Sequence, residues 1–362
     1  MKKRNFLRQA GKMLVRFIWQ ILTLTAAAGW IVLLISAFSD RMSPEHHSYI
    51  PFFGLFFPVI LLFNGIFFCI WLIFQKWKQV IATLIVFVIC GGAIQTYFPL
   101  HTKTKEVPDD CIKIVTYNVM SFGSITRHTE EEPHPILQYI IEQDPDIVCF
   151  QEYTEHKVIK NVLERMYYYP PFRQNDLAVY SKYPMSSLKK IPMENWRNNA
   201  CSMEVDINGR KLTLINVHLH SNAITLHERA DYYNFTSDPN REKLGNFTDM
   251  MFKRLTPAFK KRAIEAERMS DTIRANPNPY IIVCGDFNDT PISYARRTIK
   301  GDLRDAFVES GCGMGISFNR HRFLFRIDYI LHSKNMKAYN ATVGKLKTSD
   351  HYPVCTYLRF LD

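Results

Sequence analysis

Asp286 and Asn288 are the residues of this 362-residue chain whose setting first indicates chemistry. They follow an apolar run, residues 280–284, that predicts a strand buried on both faces, and Gly285 lets the chain turn sharply after it. Loops at strand ends carry catalytic groups because the sheet holds them rigidly beside solvent. The pattern therefore predicts a catalytic carboxylate. An ordinary Asx turn, which Asp and Asn also favour, is the competing interpretation.

Polar side chains stand at the ends of other apolar runs along the chain. Each one taken singly is most often a buried group with a hydrogen-bond partner. A series of them is hard to explain in that way and favours one site assembled from several strands. They are Asn118 in Thr-Tyr-Asn-Val, Glu152 in Cys-Phe-Gln-Glu, His218 in Asn-Val-His-Leu, Asp328 in Arg-Ile-Asp-Tyr, and Asp350 and His351 in Ser-Asp-His-Tyr-Pro.

With these motifs in this order, residues 111–361 resemble the endonuclease/exonuclease/phosphatase family. Its members are metal-dependent phosphohydrolases related to pancreatic-type deoxyribonuclease, apurinic endonucleases, neutral sphingomyelinases and inositol polyphosphate 5-phosphatases. The resemblance implies a role for each residue. Asp286 would orient and deprotonate the attacking water, and Asn288 would hydrogen-bond a phosphate oxygen. His351 would contact the same phosphate, and Asp328 would fix its tautomer and raise its pKa. His218 would be a second phosphate contact or a proton donor.

A divalent cation completes the chemistry that the resemblance implies. Glu152, Asn118 and Asp350 are the expected ligands, and such hard oxygen donors favour Mg²⁺, with Mn²⁺ as a substitute. The cation would polarise the phosphoryl group. Arg197 and Asn198, which precede an apolar run, are expected to bind the substrate phosphate, although a surface position is the alternative.

Apolar runs separated by helical material predict the elements that must position these residues. Residues 135–143 and 260–274 are the clearest helices, and Asn208-Gly209 predicts a hairpin. We expect a four-layer α/β sandwich, in which two mixed, largely antiparallel sheets are flanked by helices. The expected strands are residues 112–119, 147–150, 177–181, 201–207, 211–219, 280–284, 326–331 and 354–360.

The first 98 residues differ from the rest because they are strongly apolar. Their stretches have about the length needed to cross a bilayer and are joined by short polar segments. Buried core helices, or a cleaved signal peptide for the first stretch alone, fit less well. We expect three transmembrane α-helices at about residues 13–38, 50–74 and 80–98, a polar linker at 99–110 and a catalytic domain at 111–362.

The basic residues that flank these stretches predict the orientation. Lys2, Lys3, Arg4, Arg8 and Lys12 precede the first stretch, whereas the joint at residues 39–49 holds only Arg41. By the positive-inside rule the N-terminus is cytoplasmic, and the catalytic domain of an inner-membrane protein in a bacterium would be periplasmic or extracytoplasmic. Nine basic and two acidic residues before Pro99 contribute +7 of the net charge of +11. The charge is therefore no strong sign of nucleic-acid binding.

The leading hypothesis is a membrane-anchored, divalent-metal-dependent phosphoesterase. Among such enzymes, a nuclease-type phosphodiesterase is the first expectation. The alternative is a sphingomyelinase-like or inositol-phosphatase-like enzyme that acts on a phospholipid or another lipid-linked phosphate. An inactive binding module would be expected to lack one of Glu152, Asp286 or His351, and a transporter would be expected to carry an acidic residue within its spans. The expected partners are a phosphate-ester substrate, nucleic acid or phospholipid, and the bilayer; the sequence indicates no particular protein partner.

Overall fold

The computed structural model describes residues 2–123, 133–193, 199–222, 241–320 and 323–361. The helices of its N-terminal region are α1 (Lys2–Ala37), α2 (Ile50–Leu55), α3 (Phe57–Ile73), α4 (Trp77–Ile89) and α5 (Gly91–Tyr97). The helices that follow are α6 (Pro135–Gln143), α7 (Lys157–Met166), α8 (Arg241–Arg274), α9 (Tyr294–Lys300) and α10 (Ala306–Ser310). The strands are β1 (Ile112–Asn118), β2 (Ile147–Gln151), β3 (Phe172–Gln174), β4 (Leu177–Ser181), β5 (Met185–Ile191), β6 (Asn199–Ile207), β7 (Arg210–His218), β8 (Ile281–Asp286), β9 (Arg304–Asp305), β10 (Phe318–Arg320), β11 (Phe323–Phe325), β12 (Asp328–His332), β13 (Met336–Val343) and β14 (Val354–Phe360).

Two six-stranded sheets form the centre of the domain, in the orders β13-β14-β1-β2-β4-β3 and β5-β6-β7-β8-β12-β9. Within the described strands each sheet has one parallel pair, β1 with β2 and β7 with β8, and the remaining neighbours are antiparallel. This confirms the expectation of two mixed, largely antiparallel sheets. Strands β10 and β11 form a separate hairpin.

Apolar side chains place the sheets face to face and the helices outside them. Residues of both sheets, such as Ile114 and Leu214, share one buried cluster between the sheets. Leu163 of α7 packs on the outer face of the first sheet, and Ala266 of α8 and Ile299 of α9 pack on the outer face of the second. Burial of this apolar surface is the main favourable contribution to folding. The layers therefore run helix, sheet, sheet, helix.

Several local predictions are confirmed. Helix α6 has the expected bounds, and Asn208 and Gly209 have φ angles of 54° and 86° in the turn between β6 and β7. Helix α8 begins well before the expected residue 260 and continues through Pro257. A proline normally ends a helical pattern, so the sequence alone favoured the later start.

A buried polar contact joins the two sheets just below the strand ends. The Nε2 of Gln151 in β2 donates to Asn216 Oδ1 in β7 at 2.7 Å and to Thr116 Oγ1 at 3.0 Å. Asn216 Nδ2 donates in turn to Phe150 O at 3.0 Å. Hydrogen bonds of this kind in an apolar layer oppose sliding of one sheet over the other, because a shift would leave buried groups unpaired. The contact therefore fixes how the strand ends of the two sheets face each other.

The N-terminal region has one described helix that is by itself long and apolar enough to cross a membrane, Gln9–Arg41. The second expected span is divided at Phe56 into α2 and the 17-residue α3, which has Pro58 in its first turn. The third expected span bends by 65° between α4 and α5, next to Gly91. Counting that bent pair as a span gives at most two candidates among the described residues. Three uninterrupted spans are therefore not what the structure displays.

Arg296 and Asp305 form a buried ion pair within the two-sheet domain. Arg296 Nη2 lies 2.6 Å from Asp305 Oδ2, and Asp305 Oδ1 accepts from Phe307 N–H at 2.9 Å at the start of α10. Burial acts to raise the pKa of Asp305, but Arg296 and Arg326 outweigh it, so the pKa lies below its ordinary value. Such a carboxylate stabilises the fold above the pKa of the unfolded chain, and that contribution is lost as the pH falls through the folded value.

Replacing Asp305 with Asn should lower the free energy of unfolding at neutral pH by about 3 kcal/mol, because Arg296 is left buried without its charged partner. The difference from the wild type should begin to shrink below about pH 4, where the unfolded wild-type chain takes up a proton on this carboxyl, and should be lost only below the lowered pKa of the folded state. Denaturant unfolding across this pH range measures both effects. Asp271→Asn, at an exposed pair with Arg274, should change stability little. An equal loss at every pH would contradict the assignment.

Candidate active site

The carboxyl ends of the two parallel pairs meet at one edge of the sandwich. Asn118 ends β1 and Glu152 directly follows β2, while His218 and Asp286 end β7 and β8 and are register partners. Asn118 Nδ2 donates to Glu152 Oε1 at 3.0 Å within the first sheet and to Asp286 Oδ2 at 3.1 Å in the second. The sheets therefore bring residues from distant parts of the chain into one cluster, as the strand-end motifs predicted.

Asp286 is the centre of this cluster. Its side chain is only 1% exposed, and Oδ1 accepts from Asn288 N–H at 2.7 Å. Oδ2 lies 3.6 Å from His351 Nε2 and 3.9 Å from His218 Nε2. Burial is the largest influence on its pKa and raises it, although His351 and His218 act in the opposite direction. A carboxylate with a raised pKa is a stronger base than an exposed one.

Gly285 allows the close approach that places Asp286. Its φ is +138°, and a Cβ at this position would lie 1.9 Å from Val217 O in the neighbouring strand. A side chain here would force β7 and β8 apart. The sequence analysis assigned this glycine to a turn, and the structure adds that it is needed for the spacing of the parallel pair.

Asp328 and His351 form a buried hydrogen-bonded pair beside Asp286. Asp328 begins β12 as the register partner of Asp286, and its Oδ2 lies 2.9 Å from His351 Nδ1. Burial acts to lower the pKa of His351, but the charges of Asp328 and Asp286 outweigh it and raise the pKa to about 10. The ring is therefore an imidazolium at neutral pH, with Nε2 directed toward Asp286. Asp328 therefore holds the orientation of the His351 ring.

Asp176 holds His218 in the same way from the other side. Asp176 Oδ2 lies 2.9 Å from His218 Nδ1. Burial acts to lower the pKa of His218. The hydrogen bond that its ring donates to Asp176 and the charge of Asp286 outweigh burial and raise the pKa to about 9. The sequence analysis missed Asp176, which lies between β3 and β4 after Asn175. An Asn-Asp pair between two short strands is typical of a turn. Nothing in that local pattern indicates that Asp176 contacts a strand far along the chain.

Replacing Asp176 with Asn should lower kcat/KM about tenfold, because His218 keeps its place in β7 but loses the anion that orients its ring and favours its charged form. Kinetics of the single variants and of the double variant with His218→Gln check this. The loss should vanish in the His218→Gln background, since both changes act through one ring. Asp109→Asn, at an exposed position, is the control. Losses that add in the double variant would contradict a positioning role.

Asn288 and Asp289 continue the loop after Asp286. Asn288 has a φ of +52°, and its Nδ2 donates to Leu219 O at 3.0 Å, which ties the loop to the end of β7. Asp289 Oδ2 accepts from Arg262 Nε at 3.1 Å, and Arg262 of α8 is fully buried. This ion pair, which the sequence analysis also missed, clamps the catalytic loop to α8. Only the pairing in three dimensions distinguishes Arg262 from the other basic residues of its segment.

A cleft opens in front of the cluster, and further predicted residues line it. Glu152, Asn288 and Asp350 border the cleft together with Asp286 and His351. The Glu152 side chain is 39% exposed, and its φ of +50° is a backbone conformation that is uncommon outside glycine and often marks functional sites. The expected substrate-binding residues Arg197 and Asn198 lie outside the described residues.

The oxygen atoms around this cleft fit a hard divalent cation. The ligand atoms of Asp286, Asp328 and His351 lie within 4.8 Å of one another, and Asp328 Oδ1 is buried without a hydrogen-bond partner in the described part of the chain. Asp328 and His351 already bind each other, however. Glu152 and Asp350 offer more accessible carboxylates. Carboxylate oxygens are donors that suit Mg²⁺ or Mn²⁺.

Comparison with known protein families identifies the fold and the kind of chemistry. The family described as "Endonuclease/Exonuclease/phosphatase family" matches residues 115–351, which hold every strand-end residue named above, from Asn118 to His351. The chain belongs to this family. Its members are phosphoesterase hydrolases that use divalent metals, and this protein is a hydrolase of phosphate ester bonds. The N-terminal residues 16–97 match a second family, described as "Domain of unknown function (DUF8431)".

Solved structures of similar fold were also found. Truncated TDP2 from Caenorhabditis elegans is 16% identical, covers 69% of this chain and 97% of its own, and has a TM-score of 0.49. The human Nocturnin catalytic domain with bound sulfate is 16% identical, with 72% and 96% covered and a TM-score of 0.47. Sphingomyelinase C from Streptomyces griseocarneus is 16% identical, with 69% and 99% covered and a TM-score of 0.44. No curated protein matches.

The family assignment covers the catalytic domain and not the helices before it. Its matched segment begins within β1 and ends at His351. Asp176, Arg262 and Asp289 fall inside this segment, although no motif of the sequence analysis contained them. Each supports a motif residue: Asp176 holds His218, and the pair of Arg262 with Asp289 holds the loop that follows Asp286.

Proposed function

We propose that this family member hydrolyses a phosphodiester by direct attack of a water molecule that Asp286 orients and deprotonates. The groups around Asp286 Oδ2 support this most. Asn118 Nδ2 donates to it at 3.1 Å, and Nε2 of His351 and of His218 lie within 3.9 Å, beside an open cleft. A buried carboxylate with a raised pKa accepts a proton readily, and the histidines that face it can meet the negative charge of a phosphate.

The two histidines would act on the phosphate from opposite sides. His351 Nε2 donates a hydrogen bond to a non-bridging oxygen, while Asp328 holds its Nδ1 proton. His218 Nε2 donates to a second oxygen or gives its proton to the leaving alcohol. Asp176 holds the other ring nitrogen, Nδ1. Asn288 is a third contact for the phosphate. Each donor is fixed by a second group, so little reorganisation is needed when charge develops in the transition state.

Glu152, Asn118 and Asp350 would hold a divalent cation, with Mg²⁺ as the expected ion and Mn²⁺ as its substitute. The fit rests on the accessible Glu152 carboxylate. Its Oε1 accepts from Asn118 Nδ2 at 3.0 Å, so Asn118 would ligate the cation through Oδ1, which here accepts from Met120 N–H at 3.1 Å. When bound, the cation supplies positive charge to the phosphoryl oxygens and polarises the phosphorus centre. Arg262 is the only lysine or arginine among the described residues that line the cleft, and it is paired with Asp289. Within the described part of the cleft, the cation and the histidines would therefore neutralise the phosphate, and Arg197 and Asn198 stay predicted contacts outside it.

A substrate panel tests this function. The purified full chain in detergent with Mg²⁺ is assayed against plasmid DNA, RNA, sphingomyelin, phosphatidylinositol and bis(p-nitrophenyl) phosphate, with Asp286→Asn beside it. We expect at least one phosphodiester to be cleaved by the wild type and spared by the variant, and chelation with EDTA to stop the reaction. Cleavage of plasmid DNA or RNA would support a nuclease, which is the function that the sequence favours first. Equal rates for wild type and variant on every substrate would overturn the proposal.

We also propose that the N-terminal region anchors the enzyme in a membrane, with its N-terminus cytoplasmic and its catalytic domain on the opposite side. Support comes from the apolar helix Gln9–Arg41 and from the basic residues that precede it. Cys312 is exposed in the catalytic domain and offers a topology probe. An impermeant maleimide should label it on intact cells, and Cys312→Ser should lose that signal. Labelling of Cys312 only after lysis would reverse the orientation.

A further inference from the structure

Polar and apolar side chains both line the catalytic cleft. The polar ones include Asp286, Asn288 and His351. The apolar ones form an apolar wall drawn from α2, α8, the β10–β11 hairpin and the residue just before β12. It consists of Leu55 of α2, Met251, Leu255 and Phe259 of α8, Phe318 and Phe325 of the β10–β11 hairpin, and Ile327.

Leu55 belongs to the N-terminal region, and tight packing holds it against the catalytic domain. Phe52 of α2 packs on Phe252 and Phe259 of α8, with ring centroids 4.5 and 5.4 Å apart. Gly54 lies against the loop that follows the catalytic residues, where a Cβ would lie 2.1 Å from Ile292 O. The N-terminal region is therefore part of the wall of the site.

Part of the apolar wall is accessible to a substrate. Met251, Leu255 and Phe259 are at least nine-tenths buried and pack on Phe52 of α2. Leu55, Phe318 and Phe325 are only partly buried, and their side chains offer no group that hydrogen-bonds a sugar or a hydrated headgroup. After Phe56 the chain continues into α3, whose Val59 and Leu62 are 63% and 64% exposed. The wall thus lies at the start of an apolar helix surface, the kind of surface that lipid chains cover.

We infer that the site is specific for phosphodiesters that carry an aliphatic chain on one ester oxygen, and that Leu55 is a specificity-determining residue for that chain. The phosphate binds at Asp286 and His351, and the chain lies along Leu55, Phe318 and Phe325 in the same cleft. This inference rests on the proposed hydrolysis and adds to it the class of substrate. It also gives the N-terminal region a role in catalysis beyond that of a tether.

The test compares esters that differ only in the group on one oxygen. Methyl, octyl and 5′-thymidyl p-nitrophenyl phosphate release the same p-nitrophenol, so their rates report the contribution of the second group. The full chain is assayed with Mg²⁺ in dodecyl maltoside at one fixed concentration, with the octyl ester below its micellar concentration. The variants are Leu55→Ser and Leu55→Trp, and the matched control is Phe56→Ser at the neighbouring exposed position.

The wild type should prefer the octyl over the methyl ester in kcat/KM by at least about tenfold, because several buried methylene groups add to binding. Leu55→Ser and Leu55→Trp should each lower this ratio about tenfold, because kcat/KM for the octyl ester falls more than kcat/KM for the methyl ester. Phe56→Ser should retain the preference. Thermal unfolding of each variant checks that the fold is kept. Because Ser is smaller than Leu and Trp is larger, the same result in both variants does not depend on the folding of one of them.

The outcomes separate the two proposals. If the methyl ester is hydrolysed in an Asp286-dependent way but the octyl preference is absent, or persists in both Leu55 variants, the substrate inference fails and the proposed function stands. A preference for the thymidyl ester would also overturn the inference, because the wall would then accept a nucleoside. If no ester is hydrolysed by the wild type, the proposed function fails and the inference fails with it.

Discussion

Replacing Asp286 with Asn should lower kcat/KM for the preferred phosphodiester about 10³-fold, which is within the range for loss of a general base. Asn has almost the same size, and its Oδ1 can still accept from Asn288 N–H, so the loop after β8 keeps its anchor. What disappears is the group that takes the proton from water. Burial raises the pKa of Asp286, so a neutral amide at this position avoids the cost of burying a charge. We therefore expect the loss in activity without a loss in stability.

Steady-state kinetics and thermal unfolding of the same samples check this prediction. Asp302→Asn, at an exposed carboxylate that pairs with Lys334, is the matched control and should behave like the wild type. The variant should also show a flatter dependence of kcat on pH, because the titrating base is gone. An Asp286→Asn enzyme that retains a tenth or more of the wild-type rate would exclude Asp286 as the base.

Replacing Glu152 with Gln should lower kcat/KM about 10²-fold and raise the Mg²⁺ concentration needed for half-maximal activity at least about tenfold. Gln is isosteric and can still accept from Asn118 Nδ2, so the cluster between the sheets remains. It lacks the negative charge that a hard cation requires. Higher Mg²⁺ should therefore restore part of the lost rate.

Titration of activity with Mg²⁺ measures this effect, and Mn²⁺ binding observed by electron paramagnetic resonance measures it without turnover. Glu155→Gln is the matched control, since Glu155 pairs with Arg173 and Lys160 outside the cluster. If Glu152→Gln leaves the metal dependence unchanged while Asp328→Asn shifts it, the cation instead binds among Asp286, Asp328 and His351.

The strand-end residues were predictable because strand direction and side-chain type are local properties. The buried run before Asp286 and the Asn-Gly turn between β6 and β7 depend on neighbours in sequence, and both are present as expected. The order of these residues along the chain resembles that of one family, which indicated that they form one site. Strand β5 was missed because its exposed, polar residues lack the apolar pattern of a buried strand, and β13 was missed because Lys337 and Asn340 interrupt its apolar residues.

Contacts between distant segments could not be predicted in this way. Asp176 meets His218 across 42 positions of sequence, and Arg262 meets Asp289 across 27. Each pair forms only once the sheets and α8 are packed, and neither has a spacing that a motif records. The buried hydrogen bond between Gln151 and Asn216 is of the same kind.

The N-terminal region illustrates a different limit. Apolar composition correctly indicated helices there, but it does not record where a helix breaks. The break at Phe56 creates α2, the short helix whose Leu55 reaches the catalytic cleft. A continuous span over residues 50–74 would place that residue on a helix surface with no reason to contact the domain. The interruption therefore connects the apolar region to the active site.

Hydrolysis in water enriched in oxygen-18 tests the central claim most directly, because it follows the oxygen atom that Asp286 is proposed to activate. A single turnover of bis(p-nitrophenyl) phosphate with Mg²⁺ and excess full-length enzyme is analysed by mass spectrometry. The account predicts one oxygen-18 atom in the phosphate product, none in the p-nitrophenol, and almost no turnover by Asp286→Asn over the same time. Label in the p-nitrophenol, or equal turnover by Asp286→Asn, would contradict attack on phosphorus by water activated at this site.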